Sequence, residues 1–340
     1  MVPTPYRVGV TAEGVEPDGT TLFGDIGLDR LTAAGLSWEV MPPAAGHAPA
    51  PEDLEPYDAV LSIGHLQFTR EVVAAAPRLR HVARFGAGYD GIDLEALADA
   101  GVVVTNTPDA VRRPLAASAV TLLLALAHRL LENHAAATSG RWSERGRYRG
   151  AGIAGRTVGI IGLGSVGADV ARLLAPFGAR VVTQDRPSAR DRAAELGIDC
   201  LPLEDLVAQS DYVVLTAALT PTSHHMVDAA FLKAMKPTAF LVNVARGGLV
   251  DQPALTAALA DGSIAGAGLD VLDPEPPLPG DPLLGLPNVI VTPHALCWTE
   301  DFTRDVASSC LGALIDVAHG RRPAHPLNPR ALDVTWPTVD

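Results

Sequence analysis

The chain is poor in the features that define several protein classes. It has 3 cysteines in 340 residues, Cys200, Cys297 and Cys310, and no CxxC pair among them. That excludes a disulfide framework and argues against zinc, so no metal is expected. Lys and Arg number 26 against 39 Asp and Glu, for a formal charge of −13. Gripping a phosphate backbone needs clustered cations, so no nucleic-acid partner is expected. Long hydrophobic runs are missing too. The longest apolar stretch, Ala116 to Ala127, covers about 12 residues, where a bilayer span needs roughly 20. The N-terminus MVPTPYRVGV has no charged segment followed by an apolar signal core. A soluble, cytoplasmic protein with no membrane partner is the expectation. Aromatic residues make up only 5% of the chain but hydrophobic residues 48%, a profile ordinary for an α/β enzyme.

The length suits two domains, each able to bury its own core. Over the first hundred residues short buried strands are expected at Tyr6–Val10, Trp38–Met41, Ala59–Ile63, His81–Arg84 and Val102–Thr105. Between them Leu28–Ala34, Thr69–Ala76 and Leu94–Ala100 carry apolar residues at helical spacing. Pro42–Pro56 is read as a connecting loop. A long helix is expected from Pro114 to about His134, opened by its proline, and then an irregular arm over Thr138–Gly155. A second βα series follows, with strands at Thr157–Ile161, Arg180–Gln184, Tyr212–Thr216, Phe240–Asn243, Ala265–Leu269 and Val289–Thr292. A helix over Asp301–His319 and a Pro-rich tail end the chain. Two βα series joined by a long helix imply two doubly wound Rossmann-like α/β domains with parallel sheets.

The first strand of the second series runs into Gly162, Gly164 and Gly167, spaced G-x-G-x-x-G. Alone the motif is weak, but its context is complete. An apolar strand precedes it, a helix over Ala168–Phe177 follows, and the next strand ends at Asp185, 18 residues beyond Gly167. Gly162 allows the tight turn, Gly164 lets the backbone approach a pyrophosphate, and Gly167 lets helix pack on strand. The helix N-terminus offers unpaired N–H groups and a positive dipole end to the phosphates. Asp185 suits the two hydroxyls of an adenosine ribose and would repel a 2′-phosphate. NAD is therefore favoured over NADP, an inference that Arg186 next door weakens.

Three motifs follow in order. Asn243-Val-Ala-Arg-Gly-Gly places Arg246 past a strand end, Gly268-Leu-Asp-Val-Leu-Asp-Pro-Glu places Asp270 and Glu275 past the next, and Thr292-Pro-His places His294 past a third. Ligands of open α/β sheets bind off the carboxyl ends of strands. An Arg, a Glu and a His delivered there can converge on one crevice. Singly each is more simply a surface ion pair, a solvated carboxylate or a turn residue.

With these motifs the sequence resembles the D-isomer-specific 2-hydroxyacid dehydrogenase family over nearly its whole length. Arg84-Phe-Gly-Ala-Gly-Tyr-Asp-Gly-Ile-Asp, Asn106-Thr-Pro, Leu219-Thr-Pro, Met235-Lys-Pro and Pro323…Leu327-Asn match other parts of the family pattern. The resemblance implies reversible hydride transfer between NAD(H) and a 2-keto or (R)-2-hydroxy acid. His294 would be the proton donor and acceptor, a task suited to a group titrating near neutrality. Glu275 would hold its ring and favour the charged form, and Arg246 would bind the substrate carboxylate and polarise the carbonyl. Backbone N–H groups of Ala87 and Gly88 would hold the carboxylate as well. Asp270 would meet the nicotinamide amide, and Ser165, Val166, Ala217, Val244 and Ala245 map onto cofactor-contacting positions. A homodimer is implied, with the long helix and the Thr138–Gly155 arm at the contact. The substrate domain would be residues 1–112 with 299–340, and the NAD-binding domain 113–298.

Departures from the family pattern concentrate near the substrate. Val111-Arg-Arg-Pro is unusually basic, and Arg112 and Arg113 either reach an anion or form a solvated pair. Trp298 either walls off an apolar substrate side chain or packs structurally. Ser62-Ile-Gly-His-Leu-Gln-Phe lacks the Arg and Lys that phosphoglycerate-type members of the family carry there, so a phosphorylated substrate is not expected, and its His65 is the other histidine most open to a functional role. Cys297 has no evident base to make it a nucleophile. Two alternatives stand beside the dehydrogenase reading: oxidation of a small anion such as formate or phosphite, and an NAD(H)-sensing corepressor-like binding protein.

Overall fold

The computed structural model describes residues 6–334. The first residues of the N-terminal segment and the end of the Pro-rich tail therefore lie outside the described residues. The chain divides into two compact units, Met1–Val111 with Trp298–Asp340, and Arg112–Cys297. Each boundary falls one residue before the position expected from sequence.

In the first unit β1 (Arg7–Val10), β2 (Ser37–Val40), β3 (Ala59–Ser62), β4 (His81–Arg84) and β5 (Val103–Thr105) form a parallel sheet in the order β2-β1-β3-β4-β5. Helices α1 (Asp29–Ala33), α2 (Pro51–Leu54), α3 (Arg70–Ala74) and α4 (Leu94–Asp99) alternate with them. α2 lies in the stretch read as loop, with a proline in its first turn where no N–H is needed. α4 starts where the Asp93 carboxylate accepts the Ala96 N–H at 2.9 Å. Every residue of β3 is buried, which an apolar run covered on both faces explains.

In the second unit β6 (Thr157–Ile161), β7 (Arg180–Gln184), β8 (Asp199–Leu201), β9 (Tyr212–Leu215), β10 (Phe240–Asn243), β11 (Gly266–Leu269) and β12 (Val289–Val291) form a parallel sheet ordered β12-β11-β10-β9-β6-β7-β8. Its strand order reverses between β6 and β9, the topological switch point where such sheets take ligands. β8 is short and carries Asp199 and Cys200, too little apolar pattern to read in advance. The helices here are α5 (Pro108–Ala127), which belongs to this unit from Arg112 on, α6 (Leu130–Thr138), α7 (Ser165–Leu174), α8 (Pro187–Leu196), α9 (Leu203–Gln209), α10 (Ala229–Ala234) and α11 (Gln252–Ala260).

The expected single helix from Pro114 is two helices. α5 begins at Pro108 and carries Pro114 inside. Arg129, in the left-handed region at φ 50°, breaks the chain before α6. By length and composition alone α5 could cross a membrane, which the short apolar run did not suggest; more than half of that stretch is buried inside the protein. Leu122, Leu123 and Leu126 are buried in the core, each side chain contributing about 1.5–3 kcal/mol. Gly268 leaves room for them, since a Cβ there would lie 3.0 Å from Leu122. The arm holds a 3₁₀ segment, Trp142–Tyr148.

The chain returns to the first unit as α12 (Glu300–Ala318), whose Thr299 caps it by accepting the Phe302 N–H at 3.4 Å. Beyond it the Asn328 side chain accepts from the Val104 N–H and donates to the Val102 carbonyl, both at 2.8 Å, covering the free edge of β5.

His81 on β4 is fully buried, with Nε2 2.8 Å from the Thr105 hydroxyl and no hydrogen-bond partner for Nδ1 among the described residues. Burial pushes its pKa down to about 3 from 6.5. The unfolded chain therefore binds a proton that the folded chain refuses, so stability is full above pH 6.5 and drains as pH falls toward 3. Between pH 7 and pH 5 the wild type should lose about 2 kcal/mol more than His81→Gln in urea unfolding. Equal losses would sink the idea.

Candidate active site

β6 ends in the glycine loop, and each glycine has a different physical reason. Gly162 sits at φ 101°, and a Cβ there would come within 2.5 Å of the Ala217 backbone. Gly167 lies against the Gly162 carbonyl, with a Cβ only 2.4 Å away, so α7 packs on β6 only without a side chain. A Cβ at Gly164 would meet no atom of the described residues within 4 Å. The loop is further tied by the Thr216 hydroxyl, which donates to the Gly162 carbonyl at 2.7 Å. Ser165, Val166 and Gly167 form the first turn of α7, whose N–H groups have no intrahelical acceptor and no acidic side chain nearby in the turn. The result is an open, anion-favouring cradle flanked by Ala217, in which a dinucleotide pyrophosphate fits.

Asp185 follows β7, its N–H donating to the Leu201 carbonyl at 2.7 Å. Its carboxylate does not stand alone. Arg190 on α8 takes both oxygens, Nε to Oδ1 at 2.8 Å and Nη2 to Oδ2 at 3.0 Å. That pairing holds the Asp185 carboxyl below its ordinary pKa and raises Arg190. Arg192 donates to the Leu163 carbonyl of the glycine loop at 3.0 Å. Arg112 reaches inward to Asp169 of α7, 3.6 Å away, and so is not a solvated pair with Arg113.

β10, β11 and β12 are neighbours in register, so their carboxyl ends lie side by side. After β10 the buried Asn243 side chain accepts the Ala245 N–H at 3.0 Å and donates to the Arg246 carbonyl at 2.9 Å. This bends Val244, Ala245 and Arg246 around the strand end. Gly247 then presses against the next loop: a Cβ there would sit 1.8 Å from the Leu272 carbonyl oxygen. In that loop Glu275 uses both oxygens. Oε1 accepts the Leu272 N–H at 2.8 Å and Oε2 lies 2.8 Å from Nδ1 of His294. Both side chains are about one-quarter to one-third exposed, at 33% and 26%.

His294 has φ 55°, a left-handed conformation costing a non-glycine residue about 1–3 kcal/mol. Asp270 supplies the restraint. It is 1% exposed. Its Oδ1 accepts from the Thr292 hydroxyl at 2.6 Å, the Ala295 N–H at 3.1 Å and the Leu296 N–H at 3.2 Å, clamping both sides of His294. Its Oδ2 is buried with no hydrogen-bond partner among the described residues. A buried acceptor left over at a strand end fits the amide of a nicotinamide.

Cys297 beside this turn is buried, and burial with the nearby Asp270 charge pushes its thiol up to about 12, which leaves it no thiolate for nucleophilic work.

In the first unit Ala87 and Gly88 lie on the loop after β4. The Arg84 side chain donates to the Gly88 carbonyl at 3.1 Å and to the Phe85 carbonyl, and Asn106 donates to the Ala87 carbonyl at 2.7 Å. The carbonyls are thus engaged, while the Ala87 and Gly88 N–H groups make no hydrogen bond among the described residues. Trp298 packs edge-on to Phe23 at 4.7 Å, in a cluster with Phe85 and Phe302, and remains 43% exposed. The cluster holds part of the ring and ties the residue to the first unit, while the rest of the side chain stays open to solvent. His65 is exposed in the loop after β3.

Sequence reasoning missed Arg190, Asn243, Gly247 and Thr292. Arg190 carries the one usable signal, a cation one to two turns past Asp185 on the following helix. The others act through loop geometry that no spacing rule encodes.

A family described as D-isomer specific 2-hydroxyacid dehydrogenase, NAD binding domain, matches residues 120–295. A glyoxylate reductase of Thermococcus onnurineus is 40% identical over 292 residues, 84% of this chain and 87% of that protein. One from Korarchaeum cryptofilum is 39% identical over 289 residues, 84% of this chain and 87% of the relative. Among solved structures, an NADPH-dependent glyoxylate/hydroxypyruvate reductase of Sinorhizobium meliloti, in complex with NADP and malonate, is similar with TM-score 0.82 and 29% identity, covering 99% of this chain and 100% of that one. A protein from Thermus thermophilus is similar with TM-score 0.83 and 36% identity, covering 94% of this chain and 99% of that one.

Two glycine substitutions separate folding from ligand binding here. Gly247→Ala should lower stability by about 1–3 kcal/mol through overpacking against Leu272. Gly164→Ala meets no protein atom, so its melting temperature should stay within error while dinucleotide affinity falls about tenfold or more. Unchanged NADH binding in Gly164→Ala, read by fluorescence titration, would remove the cradle from the cofactor site.

Proposed function

The chain belongs to the D-isomer specific 2-hydroxyacid dehydrogenase family and is an NAD(H)-dependent oxidoreductase of 2-keto and 2-hydroxy acids, and on that premise we propose that it reduces glyoxylate and close relatives with His294 as proton donor. The observation that carries the residue assignment is the 2.8 Å contact between His294 Nδ1 and Glu275 Oε2. With Nδ1 committed to the carboxylate, Nε2 is the nitrogen assigned to the substrate oxygen. The Leu272 N–H fixes the other Glu275 oxygen, so the ring is oriented from behind.

When bound, the dinucleotide supplies the hydride. Ser165, Val166 and Gly167 are assigned to its pyrophosphate, Gly162, Gly164 and Ala217 to the walls of that cradle, Asp185 to the adenosine ribose, and Val244, Ala245 and Asp270 to the nicotinamide end. Arg246 is assigned to the substrate carboxylate and carbonyl, where a guanidinium binds two oxygens at once and stabilises the charge that grows as hydride arrives. The Ala87 and Gly88 N–H groups are assigned to the same carboxylate. His294 then gives its proton to the carbonyl oxygen, and takes one back in the oxidative direction.

The preference for glyoxylate-type substrates rests on the names of the relatives at about 40% identity. A cytoplasmic location belongs to the same reading. So does a homodimer: Leu130, Leu131 and Trp142, on α6 and the arm, are exposed by 56%, 49% and 64%, an apolar surface that a second copy would cover.

His294→Gln should reduce kcat for glyoxylate by roughly 10²–10⁴-fold while NADH binding stays near wild type. Turnover within a few-fold of wild type would discard the proton-donor assignment. A panel of glyoxylate, hydroxypyruvate, pyruvate and formate, followed by absorbance of NADH, separates keto-acid reduction from oxidation of a one-carbon anion. Light scattering on Leu130→Asp/Trp142→Asp should show a monomer if the arm is the dimer contact.

A further inference from the structure

His224 and His225 stand on the loop between β9 and α10, and Asp273 stands on the loop after β11 that also carries Glu275. All three side chains are exposed. Successive side chains of a regular strand point to opposite faces. His225 departs from that pattern, with φ 52° in the left-handed region, and the two imidazoles stack with centroids 3.8 Å apart and planes 25° from parallel. Backbone and hydroxyl contacts hold this turn. The His224 N–H donates to the Thr220 carbonyl at 2.9 Å, and the Ser223 hydroxyl donates to the Ala218 carbonyl at 2.9 Å.

The two loops meet at Gly248, just past β10, the strand that lies between β9 and β11. The His225 N–H donates to the Gly248 carbonyl at 2.9 Å, and a Cβ on Gly248 would lie 3.5 Å from Asp273 Oδ2. The Gln252 side chain accepts the Asp273 N–H at 3.1 Å. One nitrogen of each ring and one carboxylate oxygen thereby lie within 4.8 Å of one another. Adjacent histidines match no zinc spacing along the chain. The third ligand arrives only through the register of β9, β10 and β11.

We propose that His224, His225 and Asp273 bind one divalent transition-metal ion of the zinc class, at a site that shares no residue with the groups assigned to hydride transfer. Two imidazoles and a carboxylate suit Zn²⁺, Ni²⁺ or Cu²⁺, whereas Mg²⁺ and Ca²⁺ take sets of oxygens. Tetrahedral Zn²⁺ places its ligand atoms about 3.4 Å apart, a separation that small rotations of three exposed side chains reach. Water fills the position that three protein ligands leave open. The ion ties the β9–α10 loop to the loop of Glu275 and stabilises the folded unit by mass action.

The test titrates the metal-free full chain with Zn²⁺ against a chromophoric chelator and follows the melting temperature. Wild type should bind one ion with a dissociation constant on the order of 10 µM. Zn²⁺ at tenfold that concentration should raise the melting temperature by about 2–5 °C, and Mg²⁺ should not. His224→Ala and Asp273→Asn should each weaken Zn²⁺ by about tenfold or more, the least that even an outer-shell partner of a metal is worth. His225→Asn, which tolerates the left-handed backbone, should do the same. His294→Gln should bind Zn²⁺ as wild type does. Unchanged affinity in both His224→Ala and Asp273→Asn would overturn the proposal. So would loss of binding in His294→Gln, which would put the ion on the catalytic pair, or an equal thermal shift from Mg²⁺. No saturable binding below about 1 mM would overturn it as well.

Discussion

One buried carboxylate oxygen, Asp270 Oδ1, receives the Thr292 hydroxyl and the N–H groups of Ala295 and Leu296. The turn between those donors carries His294 at φ 55°, a conformation an L-residue holds only when its neighbours are tied. Hydrogen bonds to a charged acceptor contribute about 1.5–3 kcal/mol each, enough together to outweigh that strain. The ring then points where Glu275 meets it, and Glu275 is itself pinned by the Leu272 N–H. Removing the carboxylate would release the turn, the imidazole and one end of the proposed nicotinamide contact at once. The second oxygen, Oδ2, without a hydrogen-bond partner among the described residues, links the turn to the cofactor in the proposed mechanism.

Around this clamp the loops are packed so tightly that particular side chains are excluded. Gly247 lies so near the Leu272 carbonyl that no Cβ fits, which draws the loop of Arg246 onto the loop of Glu275. Gly162 and Gly167 do the same between the dinucleotide loop, the Ala217 segment and α7, while Gly164 faces open space. Two kinds of glycine are thus present: those that let protein touch protein and one that leaves room for something else. Cys297, close to the same turn, is taken out of chemistry by its burial, and Trp298 is held by the aromatic cluster of the first unit.

Much of this was legible in advance. The strands β4, β6, β7 and β10 lie at the positions expected for them, and β6, buried throughout, shows the continuous hydrophobic signature of a parallel strand covered on both faces. The order of Arg246, Glu275 and His294 behind a glycine loop carried the family resemblance that implied the reaction, and strand ends are where such sheets place ligands. The break between α5 and α6 was not legible: Pro114 reads as a helix start, yet the helix runs through it and ends at a left-handed Arg129. β8 and the helical turn α2 were too short and too polar to stand out.

By itself, then, the sequence determined two parallel α/β units, a dinucleotide loop and the three side chains of the proposed reaction, because each is encoded in local pattern and spacing. Only the tertiary structure decided who holds those groups. Asp270 came from sequence as a cofactor contact, but its three hydrogen bonds across the β12 turn appear only when neighbouring strands are in register. Asp185 likewise came as a free carboxylate selecting NAD, and folding α8 beside it converts it to half of an ion pair. Spacing along a chain fixes which groups are present. The charge and orientation they present depend on contacts made across it.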